Sequence, residues 1–304
     1  MYNADLFDLI TIDTKHLGHP NVIAAHLLLS HNAALVDPGP ASTLDTLEQS
    51  LRVREIAIND IEYILLTHIH LDHAGSTGLL LQRYPHLKVY VHERGAAHLI
   101  DPSRLLNSAQ QLYGTRMHEL WGDVLPVPAE AITVLKGGES IDLGDREVKV
   151  YDAPGHAKHH VVYHDQESGI AFVGDVCGVR IPGFNYERPA TPPPDIDLEA
   201  WDATLEHLIR VRPEAIALTH FGPFTDVERH LNDYRYRLHE WASIVRTGLL
   251  SGAPEREQIA ALRAYAEAEL AEMGSYAVSL HTAASPADQS WRGLARYWTK
   301  KLGV

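Results

Sequence analysis

Thr67-His68-Ile69-His70-Leu71-Asp72-His73-Ala74-Gly75 places four potential metal ligands within six positions. Imidazole and carboxylate together suit zinc, iron or manganese. In extended backbone His68 and His70 project to the same side, because side chains alternate with a period of two. Asp72 and His73 lie past the bend and can face a second position nearby. Residues 61–66 read as a buried strand before this stretch, and Gly75 opens an apolar run, Leu79-Leu80-Leu81, that reads as a helix. The ligands therefore occupy a tight strand-to-helix loop held by rigid elements. A histidine-rich surface loop is the bland alternative, and it does not explain three imidazoles and a carboxylate packed directly after a strand.

Three later positions could add ligands. Pro154-Gly155-His156 ends a strand on a tight turn, which offers a fixed imidazole. Phe172-Val173-Gly174-Asp175 ends a buried strand on a lone carboxylate, which is costly unless a cation or hydrogen-bond donors meet it. Thr219-His220 ends another strand before Phe221-Gly222-Pro223. Taken singly, each is as well explained by a structural histidine or a capping aspartate.

The elements that would position these residues follow from the apolar pattern. Residues 6–12 read as a strand, and the runs 22–29 and 33–36 form a hairpin across Ser30-His31-Asn32. Asp37-Pro38-Gly39-Pro40 breaks the second of these, and a helix capped by Ser42 or Thr43 runs towards Val53. Residues 87–91 make another strand, and 93–121 are helical with breaks near Pro102 and Gly114. Strands return at 132–135, 140–143 and 147–152, then at 160–164 and 170–173, which pair across 165–169. Pro192-Pro193-Pro194 is a stiff connector, followed by a helix over 198–211 and a strand over 215–218. Beyond Pro223, Val227, Leu231, Tyr234, Leu238, Trp241 and Val245 recur at helical spacing. Ile259, Leu262, Ala266 and Leu270 make a second such helix, and Trp291, Leu294, Trp298 and Leu302 a third. This C-terminal layer covers the domain; a wall for the pocket or a homodimer interface is its second reading.

Two internal echoes run through this order. Leu65-Leu66-Thr67-His68 is matched by Ala217-Leu218-Thr219-His220, and Ala34-Leu35-Val36-Asp37 loosely by Phe172-Val173-Gly174-Asp175. They fit two similar halves, each delivering ligands from strand ends to a shared cleft.

At 304 residues the chain can bury one large core or two modest ones. Its formal net charge of −14 disfavours a nucleic-acid partner, since phosphate binding needs a basic face. No stretch is apolar for long enough to span a bilayer. The opening Met1-Tyr2-Asn3-Ala4-Asp5 lacks the features of a signal peptide. One cysteine, Cys177, permits no intramolecular disulfide. Together these point to the cytoplasm and to a small-molecule substrate. Most of the 20 histidines cannot be ligands.

The His-x-His-x-Asp-His pattern after an apolar strand resembles the signature of the metallo-β-lactamase superfamily. The resemblance extends over roughly residues 6 to 225. It implies an α+β fold, a four-layer αββα sandwich over 1–225, with 226–304 as a C-terminal helical extension packing on the same domain. It also implies two divalent metal ions, zinc first, with iron or manganese as alternatives. His68, His70 and His156 would hold one; Asp72, His73 and His220 the other; Asp175 would bridge them. Two such ions share a water and lower its pKa, giving a hydroxide nucleophile that Asp72 would orient as the catalytic carboxylate. Asp37 is the candidate for holding an imidazole from behind, with capping of its own turn as the alternative. His159 and His160 could line the pocket, but they read first as surface or core residues. Cys177 reads as a buried inert thiol. The loop 176–194 follows a ligand-bearing strand, so Tyr186 and Arg188 are candidates for substrate contact.

Among branches of the superfamily, quorum-quenching lactonases carry a Tyr three residues after the bridging Asp, where this chain has Gly178. The glyoxalase-II-like branch shares the ligand set and a helical C-terminal region. Its final-histidine motif resembles Gly-His-Glu-Tyr-Thr, against Thr-His-Phe-Gly-Pro here. The resemblance thus implies a hydrolase of esters, thioesters or lactones. A mononuclear non-haem iron sulfur dioxygenase and a non-catalytic metal-binding protein are the alternatives.

Overall fold

The structure is a computed structural model that describes residues 5–6 and 8–303. Strands β1 (Asp5–Leu6), β2 (Leu9–Asp13), β3 (Ala24–Leu28) and β4 (Ala33–Val36) pair in order and antiparallel. Helix α1 (Leu44–Val53) then returns the chain so that β5 (Ile61–Leu65) lies parallel to β4. After the short α2 (Leu71–Ala74) and α3 (Thr77–Arg83), β6 (Lys88–His92) continues the parallel set. Helices α4 (Glu93–Ile100), α5 (Ser103–Tyr113) and α6 (Met117–Trp121) lead to β7 (Ile132–Leu135), the last strand of a seven-stranded sheet. The two breaks in this helical segment fall at Asp101-Pro102 and at Gly114, as the sequence predicts.

Among the described residues the second sheet has six strands. Antiparallel β8 (Ser140–Asp142), β9 (Glu147–Asp152), β10 (Val161–Asp165) and β11 (Ile170–Phe172) come first. Helix α7 (Leu198–Val211), whose first turn is capped by the Asp197 carboxylate on the Ala200 amide, crosses over to β12 (Ala215–Leu218), parallel to β11. Strand β13 (Gly222–Phe224) closes the sheet.

Three buried clusters define four layers. Leu9, Leu28, Val36 and Leu65 of the first sheet meet Val150, Val161, Phe172 and Ala217 of the second. On its outer face the first sheet packs Ile12, Leu35, Ile64 and Val89 against Leu47, Leu80 and Leu99 of α1, α3 and α4. On the other side Val162, Ala171 and Ile216 meet Trp201 and Leu205 of α7, together with side chains from the C-terminal helices. This is the αββα sandwich of the expected α+β class.

Past β13 the described residues form four helices where the apolar spacing predicts three: α8 (Val227–Ser251), α9 (Glu255–Ala271), α10 (Ser275–Ala284) and α11 (Ala287–Leu302). Helix α10 escapes the pattern because its buried face is Ala277, Leu280 and His281, a stripe too short and too polar to register as apolar periodicity. Leu231, Tyr234, Leu238 and Trp241 of α8 lie in the same buried cluster as the second sheet. Truncating Trp241, fully buried there, would cost roughly 3–5 kcal/mol. Among the described residues no helix is long and apolar enough to cross a membrane.

Candidate metal centre

Every candidate ligand sits just beyond a strand or on a tight turn at one end of the sandwich. Thr67 to His70 follow β5, and α2 begins at Leu71, so Asp72 and His73 leave from its first turn. His156 follows Gly155, which has φ +143° and no room for a Cβ against Trp201. Asp175 follows Gly174, with φ +47°, where a Cβ would crowd Thr67 and His160. Only glycine lets these two turns approach so closely. His220 lies two residues beyond the end of β12.

The seven side chains form two groups that share Asp175. In the first, His68, His70, His156 and Asp175 each offer a ligand atom within 4.8 Å of the others; in the second, Asp72, His73, Asp175 and His220 do the same. His70 Nδ1 lies 2.9 Å from His68 Nε2 and 3.0 Å from His156 Nε2. Asp175 turns one oxygen to each group: Oδ2 is 3.4 Å from His156 Nε2, and Oδ1 is 3.2 Å from His73 Nε2 and 3.4 Å from His220 Nε2. Asp72 Oδ2 lies 3.3 Å from His220 Nε2. An ion bound at about 2.0–2.1 Å in a tetrahedral shell has ligands roughly 3.3 Å apart, so these spacings suit one.

The donor chemistry supports the same conclusion. His73 Nδ1 is 2.7 Å from an oxygen of Asp37, His156 Nδ1 is 2.9 Å from the Ala190 carbonyl, and His220 Nδ1 is 2.7 Å from the Val22 carbonyl. Each of these nitrogens must be protonated to donate, which leaves a lone pair on Nε2. Thr67 gives its hydroxyl proton to Asp37 at 2.7 Å and so accepts from His68 Nδ1 at 3.1 Å. Four Nε2 lone pairs thus converge on two carboxylates, and His73 Nε2 and Asp175 Oδ1 are buried without a hydrogen-bond partner. Such a set asks for cations.

The two groups differ in charge. Burial, followed by the neighbouring imidazoles, lowers the pKa of His68 well below its ordinary value and that of His70 to about 4. Burial also lowers His156, although Asp175 works against it. In the second group burial would lower His73, but the charges of Asp175, Asp37 and Asp72 outweigh it and hold His73 well above its ordinary value. His220 is raised in the same way by Asp175 and Asp72. Burial opposes ionisation of Asp72 and Asp175, yet the facing imidazoles keep both below the usual carboxylate range.

Asp37 is fully buried and receives four donors on its two oxygens: the Thr67 amide (2.8 Å), the Thr67 and Thr219 hydroxyls (2.7 and 2.8 Å) and His73. It therefore stands behind the His73 imidazole and also ties the β5 end to the β12 end. His160 is buried and accepts the Asp175 amide at 3.2 Å, while His159 lines the adjoining cavity. Cys177 is buried and belongs to neither group; burial raises its pKa above the ordinary thiol range.

Tyr186 and Arg188 are not brought to the centre. Both are buried, at 0% and 1% exposure, on the side facing the C-terminal helices. Tyr186 donates to Glu269 at 3.2 Å and lies under the Arg237 guanidinium, whereas Arg188 donates to the Ser285 carbonyl at 2.7 Å and stacks over Trp241. Between them Glu187, fully buried, pairs with Arg229 and Arg237 at 2.9 and 2.8 Å. These residues anchor the loop to the helices, and only its end, Ala190 and Pro192-Pro193-Pro194, reaches the cavity. Gly178, at φ +70°, backs onto Tyr234 of α8, whose ring fills the space a side chain there would need.

Two cavities, of about 570 and 680 Å³, share Asp72, His220, Tyr113 and Trp121 along a common border. Tyr113 packs edge-on to Trp121 at 5.0 Å, and Trp121 stacks on His16 at 5.5 Å. Burial, then the charges of Asp72 and Asp175, push the Tyr113 hydroxyl pKa well up, so it remains a donor. Sequence reasoning missed this wall. Its only signal was the Tyr113-Gly114 break in a segment read simply as helical.

The arrangement defines a class: an αββα sandwich with histidine and aspartate ligands gathered at its strand ends. A family model for the metallo-beta-lactamase superfamily matches residues 25–220, and the chain belongs to that superfamily. A metallo-beta-lactamase fold-containing protein of Sulfurisphaera tokodaii is 29% identical over 179 residues, 57% of this chain and 66% of that protein. A hydroxyacylglutathione hydrolase of a Synechococcus strain is 30% identical over 155 residues, 49% of this chain and 48% of its own length. The chain thus spans about half to two thirds of the length of these curated relatives. A solved metallo-beta-lactamase family structure from Thermus thermophilus shares the fold across 98% of this chain and 95% of its own, with a TM-score of 0.70 and 20% identity.

Proposed function

We propose that the protein is a dinuclear metal-dependent hydrolase of an ester, thioester or lactone bond. One observation carries this reading: the Asp175 carboxylate turns one oxygen to each of two ligand groups, at 3.2–3.4 Å from their imidazoles. His68, His70 and His156 would hold one divalent ion and Asp72, His73 and His220 the other, with zinc first among the metals these ligands suit. A bound pair would lower the pKa of a shared water towards neutrality and polarise the scissile carbonyl. The chain's own residues supply the rest. Asp72, 22% exposed on its side chain, borders both cavities and can accept the proton that orients the attacking water. The Tyr113 hydroxyl, protonated at the same border, can donate to oxygen or sulfur that gains charge. Residues 1–225 would form the catalytic unit, and α10, α11 and the turn between them close one side of the cavity through Ala284, Pro286 and Gln289. The glyoxalase-II-like relatives support thioesters as the first substrates to try.

The test is elemental analysis of protein purified without added metal, followed by an ester, thioester and lactone panel. About two ions per chain and metal-dependent turnover are expected. One iron per chain with oxygen-dependent thiol oxidation would replace this reading with the mononuclear dioxygenase, and neither activity would leave a metal-binding protein.

A further inference from the structure

The two cavities that meet at Asp72 carry opposite charge. In a chain of net charge −14, the smaller one is lined by Arg104 of α5 and Arg292 and Arg296 of α11, with His98 beside them. Apart from the ligands Asp72 and Asp175, its one carboxylate among the described residues is Asp195, which pairs with Lys158 at 3.2 Å. Among the described residues neither Arg104 nor Arg292 forms an ion pair, and Arg296 spends only its Nε on the Pro194 carbonyl at 3.3 Å. The larger cavity reverses this: Glu267 and Asp288 line it, and its one arginine, Arg116, is bonded to Glu119 at 3.0 Å.

Backbone packing fixes the helix that carries two of these arginines. Gly293 lies so close to the Thr191 carbonyl and Pro192 that any Cβ there would overlap them, so α11 rests directly on the proline connector. Arg292 and Arg296, four residues apart, share one helix face at this contact. Arg104 approaches from a helix 188 positions earlier in the chain, and Gln111 and Gln289 add amide groups to the lining.

We infer that the cavity between α5 and α11 is an anion subsite, which takes a carboxylate- or phosphate-bearing tail of the substrate while the scissile bond lies over Asp72 and Asp175. The inference rests on the hydrolase reading for which bond lies there, but not for the anion. Arginine forks match carboxylate and phosphate oxygens in pairs, and the opposite cavity repels the same charge. The substrate is thereby oriented: its anionic end lies on the α11 side, and its uncharged end on the His16 side.

The test measures binding to the metal-loaded protein by calorimetry, with S-methyl-coenzyme A as the phosphate probe and S-methylglutathione as the carboxylate probe. At least one should bind, and the one that does identifies the tail. Arg104→Gln/Arg292→Gln, both exposed and safe for folding, should weaken it at least about tenfold, the scale of one charge-assisted hydrogen bond. Affinity should fall with added salt, and Glu267→Gln/Asp288→Asn should not weaken it. Failure of both probes to bind, or equal affinity in the double arginine variant, overturns the inference. Arginine-dependent binding without turnover of any panel substrate would sink the hydrolase reading alone; turnover of neutral esters without anion binding would sink the anion subsite alone.

Discussion

The two ligand groups differ in what they ask of a cation. The first consists of three imidazoles whose basicity is suppressed by burial and by one another, and it borrows only one oxygen of Asp175. The second has two carboxylates and two imidazoles whose basicity is raised, and Asp37 stands behind one of them. A metal ion competes with protons for imidazole nitrogens. The first group is therefore ready for a metal at neutral pH, whereas the second attracts positive charge of either kind. Neutral ligands fix position, while charged ligands raise attraction at the cost of proton competition.

The largest expected effect comes from removing what the groups share. Asp175→Ala should keep its fold, hold nearer one ion than two, and lose hydrolysis by at least about 10²–10³-fold, the scale of removing one preorganised electrostatic group. Retention of two ions and full activity would make Asp175 a strand-end cap and end the bridging assignment. Next come the single-group variants. His156→Ala should empty the first position and His220→Ala the second, read by spectroscopy of cobalt-substituted protein; identical spectra from the two variants would show that the groups are not independent positions.

A smaller effect is expected at Asp37. Asp37→Asn keeps the shape but turns an amide N–H towards one of four donors, so it should weaken the second ion by about 10–100-fold and spare the first. Equal loss from both positions would mean that Asp37 acts through the fold and not through His73. The pH dependence separates the groups without mutation. His73 and His220 titrate above, and His68, His70 and His156 below, the ordinary histidine value. As pH falls through neutrality, protons should displace the second ion first. Metal content after dialysis at stepwise lower pH checks this, and loss of the first ion before the second would reverse the comparison.

The His68–His73 cluster was legible in the sequence because it follows an apolar strand, and strand ends fix direction; His156, Asp175 and His220, and the division of the seven into two groups, were legible only through the family resemblance. The internal echoes also have a physical counterpart. Thr67 and Thr219, matched in the two Leu-Thr-His segments, both donate to the same Asp37 oxygen, and the matched aspartates are Asp37 and Asp175. What was not legible is what lies across the cavity. Tyr113, Arg104 and Arg292 reach it from helices whose own patterns report only which face is buried. The same holds for the loop with Tyr186 and Arg188: its place after Asp175 is local, whereas its contacts with Glu269 and Ser285 lie 83 and 97 residues away.

Tyr186→Phe therefore gives the smallest effect and a control for the comparison. The hydroxyl donates to Glu269, and the ring is packed with Leu270 and Ala277 under the Arg237 guanidinium. Losing one such bond costs about 0.5–1.5 kcal/mol. The low end applies, because Glu269 keeps Arg237 at 3.2 Å and the phenyl ring fills the same space. Neither ligand group touches Tyr186, so both ions should stay and KM should not move on any accepted substrate. Thermal unfolding should register the small loss, with metal content and kinetics measured on the same protein. A raised KM with stability intact would return Tyr186 to the substrate path and show that the loop opens in solution. Loss of the second ion alone would show that the C-terminal helices position His220, through a coupling that its contact with the Val22 carbonyl does not reveal.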